Sequence, residues 1–306
     1  MTHLSVVVPV LNESTLIEEL ITQIKLNSQK ITEQFEIIII DDGSIDQTWD
    51  LIAKFAGKDK RIRGIKFSRN FGHHYAITAG LQKSIGEWVV VMDGDLQDRP
   101  EVIQKLYKKA QEGYDIVFVS RINRPESWYY LITQKIFYWF LSFLSGIEFD
   151  NKQANFSIIN RKVVAAFNEF PENSRFYVST IKWLGFNNSF VTAEHGKRFS
   201  GKPSYTLRKR IKLAVDVIVA FSERPLRFSI YLGLSVSLFS ILGAIYILIK
   251  AFLQGFSVVG WSSLIISVFF FGGILLIVLG ILGVYIGQIF KEVKSRPLFV
   301  ISENIN

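Results

Sequence analysis

No cysteine occurs among the 306 residues, which excludes disulfides, thiolate nucleophiles and Cys-ligated zinc. Histidine is scarce. His3, His73, His74 and His195 are the full set, and no two stand in the HExxH spacing of a zinc protease. No GxGxxG follows the first apolar segment, and Gly201-Lys202 runs into Pro203 without the Walker spacing, so a glycine cradle for phosphates is disfavoured. Charge is missing from two long stretches, Phe228 to Ile249 (22 positions) and Ala251 to Phe290.

What is present is apolar and basic. Hydrophobic residues make up 49% of the chain, mean hydropathy is +0.26, and 35 Lys+Arg oppose 27 Asp+Glu for a net charge of +8. A chain this apolar and weakly charged buries its surface, which excludes disorder. A positive mean over this length needs a concentrated apolar region, which excludes a purely soluble single domain. The length admits two domains.

A helix needs roughly 20 apolar residues to cross a bilayer. The uncharged stretches predict spans at 228–250 and 263–289, joined by a turn near Gln254 to Gly260. Nine Lys and Arg lie between Lys197 and Arg227, opposed only by Asp216 and Glu223. Lys291, Lys294 and Arg296 follow the second span, whereas the connection offers only Lys250. The asymmetry places both ends in the cytoplasm. The start, with a short apolar run and no basic segment, does not read as a signal peptide. Basic residues crowded beside a membrane segment are attracted to anionic lipid by about 1 kcal/mol each. They are assigned to the bilayer rather than to nucleic acid. Aromatic-rich 128–147 and basic 206–227 are expected to lie at the membrane interface, and 290–306 is expected to be a cytoplasmic tail.

Residues 1–205 alternate in period. LSVVVPV, FEIIIIDDGS, IRGIKFS, EWVVVMDGD and YDIVFVS read as strands apolar on both faces. Glu13–Leu26, Thr48–Phe55, Tyr75–Ser84 and Pro100–Glu112 read as helices between them. This predicts an α/β fold with a mostly parallel sheet covered on both sides. Ligands of such sheets bind past the carboxyl ends of the strands. Asn12-Glu13, Asp41-Asp42, and Asp93 with Asp95 all fall there. Asp93-Gly94-Asp95 suits a hard divalent cation, with the glycine expected to let the backbone turn both acids toward one point. His73 and His74 are expected to serve a loop or helix start, with at most one of them near the donor phosphates, and Gly72 and Asn70 are expected to shape the turn.

VVVPVLNES, IIIIDDGSIDQT, FSRNFGHHYAITAGL, VMDGDLQDRPEVI and EGYDIV stand in an order and spacing that resemble glycosyltransferase family 2. More narrowly the chain is similar to the polyprenyl-phosphate glycosyltransferases, and the likeness runs through the basic stretch and both apolar segments. The resemblance implies a GT-A fold and inverting transfer from a nucleotide-sugar, with a UDP-sugar the expected donor. The implied acceptor is a polyprenyl phosphate on the cytoplasmic face of the cell membrane, and the implied cofactor is Mg²⁺ or Mn²⁺. It assigns Pro9, Asn12, Glu13, Asp41, Asp42, Gly43 and Ser44 to the nucleotide, with Asp42 the preferred acid of its pair. It assigns Asp93 and Asp95 to the metal and donor, and Gln97 and Asp98 to the neighbourhood of the donor sugar. Arg198 and Lys202 fall to phosphate at the membrane surface. The chain departs from the family at Asn155-Phe156-Ser157, where many members carry Asp-Phe-Arg. Asn155 is read as a catalytic-site residue in a subfamily with a different sugar. Two alternatives stand beside this reading: transfer to another lipid or glycan, and a non-catalytic membrane accessory protein. The Gln-x-x-Arg-Trp motif of processive relatives is missing. A homo-oligomer is admitted alongside a monomer.

Overall fold

The computed structural model describes residues 2–122, 142–144, 153–173, 175–194, 218–219, 222–254 and 260–306. Two compact units emerge, one from 1–138, 148–206 and 296–306, the other from 139–147 and 207–295.

The first unit is built on one eight-stranded sheet. Its strands are β1 (Leu4–Val10), β2 (Phe35–Asp41), β3 (Ile62–Phe67), β4 (Trp88–Val91), β5 (Ile116–Ile122), β6 (Gln153–Asn160), β7 (Asn188–Glu194) and β8 (Ile301–Ile305). The helices are α1 (Ile17–Gln29), α2 (Thr48–Ala56), α3 (His73–Lys83), α4 (Val102–Ala110), α5 (Arg161–Glu169) and α6 (Tyr177–Trp183). Strand order is β7-β5-β6-β4-β1-β2-β3-β8. The pairs β1–β2, β2–β3, β1–β4 and β5–β7 are parallel, whereas β6 runs antiparallel between β4 and β5. The sheet is therefore mostly parallel, as expected.

Strand alternation divides the interior in two. Val6, Val8, Ile37, Ile39 and Val90 point into a core with Ile17, Leu20, Ile24, Ile52, Ile103 and Leu106. Val7, Ile38, Ile40, Val89 and Val91 point to the other face, with Ile77, Leu81, Val163, Phe167, Tyr177 and Ile181. Both faces are covered, which is why the central strands β1 and β2 are almost wholly apolar up to Asp41, with buried Ser5 and Glu36 hydrogen-bonded to each other. The chain runs from β1 outward through β2 and β3, then returns to place β4 on the other side of β1. The reversal opens a crevice past the strand ends where such folds hold ligands.

Three helices start elsewhere than expected: α4 begins at Val102 rather than Pro100, and α1 and α3 shift for reasons visible in the bonding and the backbone. α1 begins at Ile17 because Asn12, Glu13 and Ser14 are drawn onto the loop after β2. α3 begins at His73, directly after Gly72 at φ 121°. Residues 301–305, expected within a tail, form β8, antiparallel to β3 at the sheet edge.

The second unit contains α7 (Arg224–Gln254) and α8 (Trp261–Val293). Each is long and apolar enough to cross a membrane, over Arg224–Ile247 and Ser267–Val293, and many of the large apolar side chains described there are exposed. The expected interfacial segment 128–147 falls almost wholly outside the described residues, as does most of 206–227.

Candidate active site

Four loops meet past the carboxyl ends of β1, β2, β3 and β4. The loop after β1 turns at Asn12, which adopts φ 55°. Asparagine tolerates this left-handed conformation better than most residues. Its backbone N–H donates to Ser44 Oγ at 2.9 Å, and its side-chain oxygen accepts from Ile45 N at 2.9 Å. Glu13 N donates to Thr48 Oγ1 at 2.9 Å. The first two loops are thus stitched together. Pro9 precedes them inside β1, beside Ile40 of β2.

Asp41 and Asp42 end β2, and both are buried. Asp41 Oδ1 accepts from Ser44 N at 2.8 Å, while among the described residues its buried Oδ2 has no hydrogen-bond partner and keeps the capacity to accept one. Asp42 takes the backbone N–H of Phe71 at 2.8 Å and that of Gly72 at 3.0 Å. Its carboxyl is held above the usual carboxylate range by burial, against the opposing effect of those two bonds. Gly43 sits between, at φ 77°, where an added Cβ would lie 2.4 Å from the Arg69 carbonyl carbon. No other residue fits that turn.

Asp93 and Asp95 follow β4. Asp95 Oδ1 accepts from Gln97 N at 3.1 Å, an Asx turn that fixes the loop. Asp98 is buried in the same turn. Gly94 lies in the turn after β4 and is required there by space rather than by a positive φ. Its backbone passes so close to β1 that a Cβ would fall 2.5 Å from Val10 Cγ1. The left-handed residue is instead Leu96, at φ 56°. A branched side chain there is strained, and strain of this kind gathers at functional loops.

His73 joins the loops. Its Nε2 lies 3.1 Å from Asp93 Oδ1 and 3.2 Å from the Asn155 amide. Burial alone would lower its pKa. The hydrogen bond and charge of Asp93, with the charges of Asp42 and Asp95, overcome that and raise it. The ring remains 37% exposed, so solvent screens part of the attraction. His74 points the other way. Its Nδ1 accepts from Tyr177 N at 3.4 Å, and burial together with the neighbouring His73 pushes its pKa down to about 3.

Asn155 reaches this point because β6 lies antiparallel to β4, with Ser157 opposite Val91. Ser157 is fully buried and its hydroxyl bonds both the Asn155 carbonyl and the Tyr177 hydroxyl, at 2.9 and 2.8 Å. The Tyr177 hydroxyl and the Asn155 backbone surround the position where many relatives carry arginine. Sequence reasoning gave His73 and His74 a loop or helix-start role with at most one of them near the donor phosphates, and did not foresee the contact of His73 with both Asp93 and Asn155. The signal was present in the glycine before it, which begins a helix aimed at an acidic loop. Arg198 and Lys202 lie outside the described residues.

The residues present fit a divalent cation. Among the described residues no three His, Asp or Glu side chains form a complete metal cage. Two carboxylates on one loop suffice for Mg²⁺ or a similar ion that takes its remaining oxygens from water and substrate phosphates.

The sequence matches the family profile described as Glycosyl transferase family 2 over residues 5–173. It is 37% identical to an uncharacterized glycosyltransferase of Synechocystis sp. across 98% of this chain and 95% of that protein. It is 33% identical to the SfII prophage-derived bactoprenol glucosyl transferase of Shigella flexneri across 98% of both chains. Glucosyl-3-phosphoglycerate synthase from Mycobacterium tuberculosis, solved with Mn²⁺, UDP and glucosyl-3-phosphoglycerate, shares the fold at a TM-score of 0.50. That likeness carries 19% identity over 71% of this chain and 78% of the other.

Proposed function

The chain belongs to glycosyltransferase family 2, and from that membership we propose that it transfers a sugar from a nucleotide-sugar to a polyprenyl phosphate at the cytoplasmic face of a membrane. The observation that carries the reading is the match to a bactoprenol glucosyl transferase along the whole chain, both apolar helices included. A soluble acceptor gives such helices no purpose. An acceptor buried in lipid does, since they hold the active site at head-group level.

In this reading α7 and α8 span the bilayer. β8 pairs with β3, so residues on both sides of the two helices belong to one folded sheet. A sheet cannot straddle a membrane, so the number of crossings between them is even. The basic residues before α7 and after α8 support a cytoplasmic position for that sheet.

Asp41 and Asp42, with Asn12, Glu13 and Ser44, hold the nucleoside. Asp41 Oδ2 is the acceptor placed for a donor on the base, and Asp42 keeps the 71–72 backbone in position. Asp93 and Asp95 carry the cation, and Gln97 and Asp98 border the sugar. A divalent cation held by Asp93 and Asp95 would offset the negative charge that builds on the leaving group. The acceptor phosphate is already anionic near neutral pH and needs no strong base. One of its oxygens attacks the anomeric carbon, the bond to the diphosphate breaks, and the nucleoside diphosphate leaves with the electron pair. Attack from the opposite side inverts the anomeric centre. Arg198 and Lys202 hold the acceptor phosphate in line, which restricts its approach. His73 and Asn155 orient Asp93.

The reading is tested with purified protein, a panel of radiolabelled UDP- and GDP-sugars, and undecaprenyl phosphate. Label should enter the lipid phase from one donor and require the phosphate. Label entering a glycan or a phosphate-free lipid would identify another acceptor, and no transfer from any donor would leave the accessory role.

A further inference from the structure

β8 is attached at its two ends to different parts of the first unit. At one end Glu303 accepts from the Trp49 indole N–H at 2.9 Å and from Lys66 Nζ at 3.3 Å, and Asn306 Nδ2 donates to the carbonyls of Ala56 and Ile62. These contacts fasten the strand to α2 and β3. At the other end the chain approaching β8 meets the loop between β3 and α3. Val300 O accepts from Ser68 N at 3.0 Å. The Phe299 ring stacks on Phe67 at 4.9 Å between centroids and an interplanar angle of 11°, and Phe67 meets Phe71 edge-on at 5.7 Å. The Arg69 guanidinium covers the other ring of that pair, 4.2 Å from the Phe71 centroid.

The 68–72 loop is the one that closes on Asp42 through the N–H groups of Phe71 and Gly72. It ends at His73. It is therefore gripped from inside by the Asp42 carboxylate and from outside by residues 299–300. The outer grip is supplied by the segment directly after α8. A strand that only covered the β3 edge would end at the Phe67–Ile301 pair; here the chain continues past it, with Val300 bonded to Ser68 and Phe299 stacked back on Phe67.

We propose that Phe299 and Val300 are positioning residues for the donor site. They fix the 68–72 loop, and through it Asp42 and the start of α3. This rests on the nucleotide-sugar reading of that site.

The experiment compares Phe299→Ala, Phe299→Leu, Phe299→Tyr and Glu303→Ala in the full-length protein, measuring donor KM, kcat, melting temperature and calorimetric binding of the donor. Phe299→Ala should raise the donor KM about tenfold with kcat nearly unchanged, on the scale of one lost aromatic pair. Phe299→Leu should show a smaller rise, and Phe299→Tyr should restore the wild-type value. Glu303→Ala should lower the melting temperature and leave the donor KM alone. Equal changes in KM at Phe299 and Glu303 would reduce β8 to an edge cover and overturn the proposal. So would an unchanged donor KM in Phe299→Ala and Phe299→Leu while the wild type binds donor. Wild-type protein that binds no nucleotide-sugar would instead overturn the reading of the site, and the proposal with it.

Discussion

The imidazole of His73 lies 3.1 Å from Asp93 through Nε2, and the same nitrogen meets Asn155 at 3.2 Å. One ring nitrogen at the start of α3 thereby lies against both an acid after β4 and an amide on β6. If its proton sits on Nε2, His73 donates to the carboxylate and keeps one oxygen of Asp93 in place. A hydrogen bond to a charged group is worth about 1.5–3 kcal/mol. His73→Ala should therefore lower transfer roughly tenfold to a hundredfold. His73→Gln, which can present an N–H from the same side, should recover part of the loss. Single-turnover rates with saturating donor are the measurement, and equal activity in the wild type and both variants would remove His73 from the site.

Asp95→Asn keeps the acceptor that holds Gln97 N and removes the charge. It should abolish transfer while the melting temperature stays close to wild type. Asp93→Asn should do the same. EDTA should silence the wild-type protein, and Mg²⁺ or Mn²⁺ should restore it. Full activity in EDTA would end the metal assignment.

Membrane topology can be read with single cysteines, since the chain has none to remove. Gly260 is exposed ahead of α8, and Lys60 is exposed on the sheet unit. In sealed right-side-out vesicles an impermeant maleimide should label Gly260→Cys and spare Lys60→Cys. The reverse pattern would invert the orientation.

His74 makes stability depend on pH. Its pKa falls from 6.5 to about 3 on folding. Between those values the unfolded chain binds the extra proton, so stability rises with pH by up to about 1.4 kcal/mol per unit. The contribution is complete above pH 6.5 and lost as pH falls toward 3. His73 acts in the opposite sense, because its raised pKa gives stability that is full below 6.5 and lost on the alkaline side. Melting temperatures of wild type and His74→Gln, taken from pH 4.5 to 7.5, should converge at the acid end. Parallel curves would show that His74 carries no such linkage.

The central sheet was legible in the sequence because its strands are buried on both faces and end in polar clusters. Val6 and Val7 point to opposite cores, so no alternation dilutes the apolar run. β8 was not legible. ISENI carries exposed polar residues on an edge strand, and its reasons for order are Trp49, Lys66 and Phe67, all far away in sequence. The acidic loops were legible as positions past strand ends. The division of labour within them was not, because it depends on contacts across loops. Phe71 and Gly72 occupy Asp42, and Leu96 rather than Gly94 takes the left-handed turn. Asn155 was noticed as a departure, but its partner His73 lies 82 positions earlier, and only the placement of β6 beside β4 joins them.

The pairing of β8 with β3 also fixes an order of events during synthesis. Glu303 and Trp49 are 254 positions apart, and both apolar helices are translated between them. The ribosome therefore finishes α8 before the strand that covers the β3 edge exists. Until then that edge presents unpaired N–H and C=O groups, a template for wrong pairing. The eighth strand therefore closes the sheet only after both apolar helices have been made. Chains stalled or cleaved between α8 and β8 would carry an open sheet edge, which makes them targets for aggregation and proteolytic removal.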